Sequence, residues 1–429
     1  MENRERSRLL GEMERLIQAY LDLESPSGPW RIPLSVPSFG IEEIMEVLDS
    51  LLAKRVTMGE KVRRFEASFA GYVGTRHGVM VNSGSSANLV ALSALAHPGL
   101  PRGLRSGDEV ITTAVPWSTT VFPILQVGAI PVFVDIEPKT YNMDVKQIES
   151  AITSRTKAIM VVHLLGNPVD MAAVMELARR YDLFVIEDCC EAHGAEIGGR
   201  KVGSFGEIAT FSFFFSHHIS TIEGGIVLTD NDELADLARS MRAHGWVREM
   251  AKRREILEGF PYIDERYLFA TAGYNLRPME LQGAFGLHQL TRLEGFIRAR
   301  IETAQFWTRQ LSGYSEYFVL PEEGEGTRHV WFCYPITIRP DAPFSRRELV
   351  QYLTGKGIET RPIMAGNMVE QPVMKDYPYR TAGDLRHAQY AMRHSILLPN
   401  HHEIGEDERS YAAEAFREFL EPLGAKGGK

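Results

Sequence analysis

Leu183-Phe-Val-Ile-Glu-Asp188 is the stretch on which the fold turns. Four apolar residues run without a polar break into two carboxylates. A strand that faces water on one side alternates apolar with polar residues, whereas a strand covered on both faces reads as a continuous apolar run. Three upstream stretches have the same character: Glu109-Val-Ile-Thr-Thr113, Ile130-Pro-Val-Phe-Val-Asp135 and Lys157-Ala-Ile-Met-Val-Val162. Helical patterns separate them from about Asn82 to Thr229, and this alternation predicts an α/β fold with a mainly parallel sheet and helices on both faces. Ligands of such sheets bind outside the carboxyl ends of the strands. Asp188 ends its run, where a carboxylate either faces that crevice or caps the strand.

Outward from this centre, residues 5–23 set Leu9, Leu10, Met13, Leu16, Ile17 and Tyr20 at helical spacing, and Ser25-Pro-Ser-Gly-Pro29 breaks the pattern. Residues 1–32 therefore read as a leading helix and linker, 33–290 as a large α/β domain and 291–429 as a smaller C-terminal α+β domain. A helical region over 279–311, the strand-like Tyr334-Pro-Ile-Thr-Ile-Arg339 and a helix over 346–356 support the last of these. The 429 residues, 44% hydrophobic and 24% charged, are enough for a well-buried core. A formal charge of −9 gives no basic footprint and argues against a nucleic-acid partner. The polar start and the lack of any run of about 18 apolar residues predict a cytoplasmic chain without a membrane partner. Cys189, Cys190 and Cys333 have neither disulfide-framework nor metal-ligand spacing, so they read as buried thiols and no metal site is expected.

Chemistry-bearing residues cluster where the strands end. Val81-Asn-Ser-Gly-Ser-Ser-Ala-Asn88 puts small residues before a helical pattern, leaving N–H groups open to a phosphate, although Ser85 and Ser86 also suit an ordinary helix cap. Trp117, in Val115-Pro-Trp-Ser-Thr-Thr120, either stacks on a ring or packs in the core. If the ligand is a pyridinium, Asp188 would keep its ring nitrogen protonated. Ser212 opens Ser212-Phe-Phe-Phe-Ser-His217 and is placed to offer a hydroxyl to the phosphate.

In this order the motifs resemble those of the DegT/DnrJ/EryC1/StrS family, sugar-modifying enzymes dependent on pyridoxal phosphate (PLP) with the aspartate aminotransferase fold type I. The likeness runs from about Pro33 to Asn400. It rests on Trp117-Ser-Thr-Thr120, Leu164-Leu-Gly-Asn-Pro168, Ser216-His-His-Ile219, Glu223-Gly-Gly225, Arg242-Ala-His-Gly-Trp246, Gly273-Tyr-Asn-Leu-Arg-Pro278, and Arg361-Pro-Ile363 followed by Gly366-Asn367. The resemblance implies that Gly84, Ser85 and Ser212 hold the cofactor phosphate, that Trp117 covers the ring and that Asp188 pairs with its nitrogen. Glu191 falls where relatives carry a glutamine near the ring hydroxyl. Asn275 would reach the phosphate of a neighbouring subunit, which implies a homodimer with shared active sites. His244 and Arg248 are the candidates for binding the sugar nucleotide or an amino-acid cosubstrate.

Aminotransferases of the family end Ser-Phe-x-x-x-Lys with the lysine that binds the cofactor covalently, and His217 falls on that lysine. An imidazole forms no stable imine, but its ordinary pKa of about 6.5 suits it to move protons. The resemblance therefore implies a pyridoxamine phosphate (PMP) working form, His217 as base, and loss of the C3 hydroxyl from an NDP-4-keto-6-deoxyhexose, GDP-4-keto-6-deoxymannose first among them. L-glutamate would restore PMP. A sugar aminotransferase and a non-catalytic PLP-binding protein are the alternatives, and His218 reads as a supporting residue. Iron–sulfur CDP-sugar 3-dehydratases also place histidine there, but Val247-Arg-Glu-Met-Ala-Lys-Arg-Arg254 has none of their cysteines, so no iron–sulfur cluster or reductase partner is expected.

Overall fold

The computed structural model describes residues 2–23 and 28–424. Its centre is an eight-stranded sheet. Seven of its strands follow in chain order: β1 (His77–Val81), β2 (Glu109–Thr113), β3 (Ile130–Val134), β4 (Thr156–Val162), β5 (Phe184–Asp188), β6 (Ile208–Ser212) and β7 (Gly225–Thr229). They lie in the order β1-β7-β6-β5-β4-β2-β3, and the late strand Arg380–Ala382 completes the sheet beside β3. All pairings are parallel except the two made by β7, which alone runs against the rest.

Period-two alternation explains why these runs are apolar throughout. Val110, Met160 and Ile186 point to one face, against the helices Gly84–Leu95 and Asp232–Arg242. Ile111, Ile159, Val161 and Val185 point to the other, against Val145–Ala151 and Met171–Tyr181. With both faces covered, no position of β2 or β5 is left to a solvent-facing polar residue. The helices start where sequence chemistry allows: Asp170 and Asn231 accept N–H bonds from the first turns of Met171–Tyr181 and Asp232–Arg242.

A second core lies around the antiparallel strands Phe318–Val319, Tyr334–Ile338, Ser395–Leu398 and Arg361–Pro362, packed with the helices Arg346–Gly355 and Glu406–Gly424. The helix Glu280–Leu311 joins the two units, with Leu293 and Ile297 in one core and Ala304, Trp307 and Leu311 in the other. At the other end of the chain, Glu2–Leu21 is helical. Residues 25–27 of the expected Ser-Pro-Ser-Gly-Pro break lie outside the described residues, but Arg31 and Ile32 are tied down by N–H bonds to the Gly357 carbonyl. Among the described residues no helix is long and apolar enough to cross a membrane.

Candidate active site

A cavity of about 360 Å³ opens at the carboxyl ends of the parallel strands. Its floor includes Val162, Asp188 and Ser212, the last residues of β4, β5 and β6. Of the ten site residues expected from sequence, it gathers Gly84, Ser85, Trp117, Asp188, Glu191, Ser212 and His217. His244, Arg248 and Asn275 do not line it; they lie near one another, with Ala243 bridged to Asn275 and Arg248 over the Trp246 ring.

Residues Ser83 to Ser86 form the turn that opens the helix Gly84–Leu95, and Ser83, rather than Ser85 or Ser86, caps it by accepting the Ser86 N–H at 3.1 Å. That leaves Ser85 exposed at the cavity, its hydroxyl 3.1 Å from Thr119 Oγ1. A Cβ placed on Gly84 would sit 2.4 Å from Ser212 Cβ, so glycine is what lets the helix N-terminus approach the end of β6. The open N–H groups of this turn, beside the Ser85 and Ser212 hydroxyls, are the donor set that a phosphate monoester requires.

Asp188 is fixed from three directions. Asn88 Nδ2 and Thr120 Oγ1 donate to its Oδ2 at 2.9 and 2.7 Å, and the Cys190 N–H donates to Oδ1 at 3.2 Å. Thr210 in turn donates to Asn88 Oδ1 at 2.6 Å, which sets the direction of the amide. Neither Asn88 nor Thr120 was among the expected residues. The signal for Asn88 was its place one turn after Gly84, on the face of the helix that carries Ala87, Val90 and Ala91 into the core. Trp117 is 56% exposed and borders the cavity, so it is not a core aromatic.

Glu191 is buried with one hydrogen bond to its carboxyl, from the Leu165 N–H at 2.7 Å. Burial pushes this carboxyl up to about 8, the Leu165 bond opposes the shift, and the Asp188 charge adds to it. At neutral pH the group is thus a carboxylic acid able to donate, as a glutamine amide does.

His217 lies in the loop between β6 and β7. Its ring packs 5.2 Å from Phe332 and 6.1 Å from His193. Burial holds the imidazole down at about 3, and the buried Arg300 guanidinium adds to that, so His217 is neutral at pH 7 and available as a base. His218 turns away from the cavity, is fully buried and meets the Val330 carbonyl through Nε2 at 2.9 Å. Arg300, which sequence reasoning did not single out, donates to the carbonyls of Phe332 and Asn400 at 2.8 and 2.7 Å.

The sequence model of the DegT/DnrJ/EryC1/StrS aminotransferase family matches residues 37–417. The chain belongs to this family. Among its relatives, a GDP-4-keto-6-deoxy-D-mannose 3-dehydratase of Yersinia pseudotuberculosis is 40% identical over 372 residues, 86% of this chain and 94% of that one. A dTDP-4-dehydro-2,6-dideoxy-D-glucose 3-dehydratase of Saccharopolyspora spinosa is 38% identical, covering 88% of this chain and 84% of its own. Among solved structures, a GDP-4-keto-6-deoxymannose 3-dehydratase with a trapped PLP–glutamate geminal diamine superposes with a TM-score of 0.84 at 35% identity, over 90% of this chain and all of that one. The residues present fit a pyridoxal phosphate: the N–H groups opened by Gly84 and the Ser85 and Ser212 hydroxyls are donors for a phosphate, and Asp188 offers a carboxylate in the same cavity.

Proposed function

We propose that this chain is a PMP-dependent 3-dehydratase that removes the C3 hydroxyl of an NDP-4-keto-6-deoxyhexose, with GDP-4-keto-6-deoxymannose as its foremost substrate and L-glutamate restoring the amine. The observation that carries this reading is His217. It lines the cavity beside Asp188, Ser212 and Trp117, and no lysine is among the described residues that line it. A site without a primary amine holds the cofactor by contacts alone and uses a different group for proton transfer.

When bound, the cofactor supplies an amine for the sugar ketone and a ring that accepts electrons from the reacting carbons. Gly84, Ser85 and Ser212 hold the phosphate, Asp188 keeps the proton on the ring nitrogen, Trp117 covers one face and the protonated Glu191 donates to the ring hydroxyl. His217 is the base. Its Nδ1 is buried without a partner, so it takes up the proton through Nε2. Phe332 and Phe214 flank the imidazole and limit water around it. The elimination requires a ketone next to the leaving hydroxyl, which restricts substrates to 4-ketosugars.

The reading extends to a cytoplasmic homodimer. Asn275 is exposed on the single chain, in a bridge with Ala243. We assign it to the phosphate of the partner's site. Beside it Arg248 lies 3.5 Å over the Trp246 ring, and His244 packs against the same indole at 4.6 Å. A cationic and aromatic edge of this kind suits a nucleotide.

Incubating the protein with GDP-4-keto-6-deoxymannose, PLP and L-glutamate tests the reading. Free ammonia and a sugar nucleotide lighter by one oxygen are expected. A product that retains the nitrogen would assign the chain to transamination instead, and parallel GDP-, CDP-, UDP- and dTDP-ketosugars define the nucleotide.

A further inference from the structure

Two histidines that do not line the cavity stand close to His217. His193 follows the end of β5 and is fully buried, its ring set among Phe69, Phe211 and Phe213. Its ring centre is 6.1 Å from that of His217 and 5.6 Å from that of His218, with the planes tilted by 40° and 43°. Four ring nitrogens of this trio are buried without a hydrogen-bond partner: Nδ1 and Nε2 of His193, Nδ1 of His217 and Nδ1 of His218. A buried polar atom left unpaired carries its full desolvation cost, so the four nitrogens ask for one another.

One end of the trio has a fixed direction. His218 Nε2 meets the Val330 carbonyl at 2.9 Å, and a carbonyl only accepts, so this nitrogen carries the hydrogen. Burial is the largest cause keeping all three imidazoles neutral, and the Arg300 charge adds to it. A neutral imidazole has one N–H and one lone pair. Nδ1 of His218 is therefore a lone pair, able to take the N–H of His193. The other His193 nitrogen is then a lone pair itself, able to take an N–H from His217 Nδ1. The Ser212 carbonyl is the second acceptor near His193. Whichever of the two takes the His193 N–H, the direction towards His217 is the same.

We propose that His193 is a positioning residue for His217: by accepting the Nδ1–H it fixes the tautomer and ring orientation that leave the lone pair on Nε2. A small rotation of the rings closes each nitrogen pair to hydrogen-bond length. When His217 takes up a proton at Nε2, its Nδ1–H bond to His193 becomes charge-assisted and strengthens, so the support is greatest as the charge develops. This rests on the reading of His217 as the base of the dehydratase.

Neutron diffraction from deuterium-exchanged crystals of the PLP-loaded protein reads the tautomer without turnover. Deuterium is expected on His217 Nδ1, directed at His193, and not on Nε2. Deuterium on Nε2, or an Nδ1–D bond directed elsewhere, overturns the assignment. Kinetics read the consequence. His193→Phe keeps a ring in the same aromatic setting and removes the acceptor, so single-turnover dehydration by the PMP-loaded variant should slow about 10- to 100-fold, the range for losing a hydrogen bond to a charged group. Affinity for PLP and for the sugar nucleotide should stay at the wild-type level. His193→Asn and His193→Gln return an acceptor at the reach of Nδ1 and Nε2 respectively, and one of them should recover part of the rate. A Phe variant with the wild-type rate, or one whose rate and affinities fall together without rescue by either amide, leaves His193 a packing residue and refutes the proposal. Should His193→Phe fail to fold, the neutron map of the wild type decides. Wild-type protein that makes no 3-deoxy sugar would defeat the dehydratase reading, while the positions of the hydrogens would still be read from that map.

Discussion

Replacing Glu191 by glutamine removes a titration that sets the pH dependence of stability. The folded chain holds this carboxyl at about 8, chiefly through burial and with help from the Asp188 charge, whereas in the unfolded chain it titrates near about 4.3. Between those values the folded protein binds a proton that the unfolded chain has lost. Unfolding then releases the proton, and stability falls as pH rises. The contribution is fully present below about pH 4, declines by about 1.4 kcal/mol per unit and is exhausted above about pH 8. By neutral pH the loss is on the order of 3 to 4 kcal/mol. Glutamine keeps an acceptor for the Leu165 N–H and cannot ionise. Denaturant titrations of cofactor-free wild type and Glu191→Gln at intervals between about pH 5 and pH 8 read this directly. The two should be similar at the acid end, with the variant gaining several kcal/mol by the alkaline end. A difference that does not change with pH would refute the argument.

His217→Asn should abolish single-turnover dehydration while PLP still binds reversibly; turnover at the wild-type rate removes its role as base. Because burial and Arg300 hold His217 down at about 3, the single-turnover rate should show no acid limb near pH 6.5, and a limb there contradicts the proposed environment. Gly84→Ala drives a methyl group into Ser212, at a cost of about 1 to 3 kcal/mol, and calorimetry should show PLP affinity reduced about 10- to 100-fold. Asn88→Leu deletes one donor to Asp188 and the acceptor for Thr210; thermal unfolding should register about 1 to 3 kcal/mol, with weaker PLP binding.

The strands nearest the site were legible because they are buried on both faces. The runs over 109–113, 130–135, 157–162 and 183–188 fall within a residue or so of β2 to β5. Strand direction was not legible: nothing in Gly225-Ile-Val-Leu-Thr229 distinguishes an antiparallel neighbour from a parallel one. Arg380–Ala382 could not be read as a strand of the main sheet, since three largely polar residues carry no periodic signal and their partner is remote in the chain. The site shows the same division. Residues that carry a reactive group, such as Asp188 and His217, stand out by type and motif. Asn88 and Thr120, which hold Asp188, and Arg300, which ties down the backbone of Phe332 beside His217, act through contacts between separate elements, which spacing along the chain does not reveal.

The pairing of Arg380–Ala382 with β3 also bears on how the protein is made. Arg380 meets Val132 about 250 residues earlier in the chain. The outer edge of β3 stays open on the ribosome until nearly the whole polypeptide has emerged, and an open edge is a template for pairing with other chains. Contacts of such long range also form late in folding. A chain halted before residue 380 would expose this edge throughout its lifetime, so truncated products should partition into aggregates even when their cofactor cradle is complete.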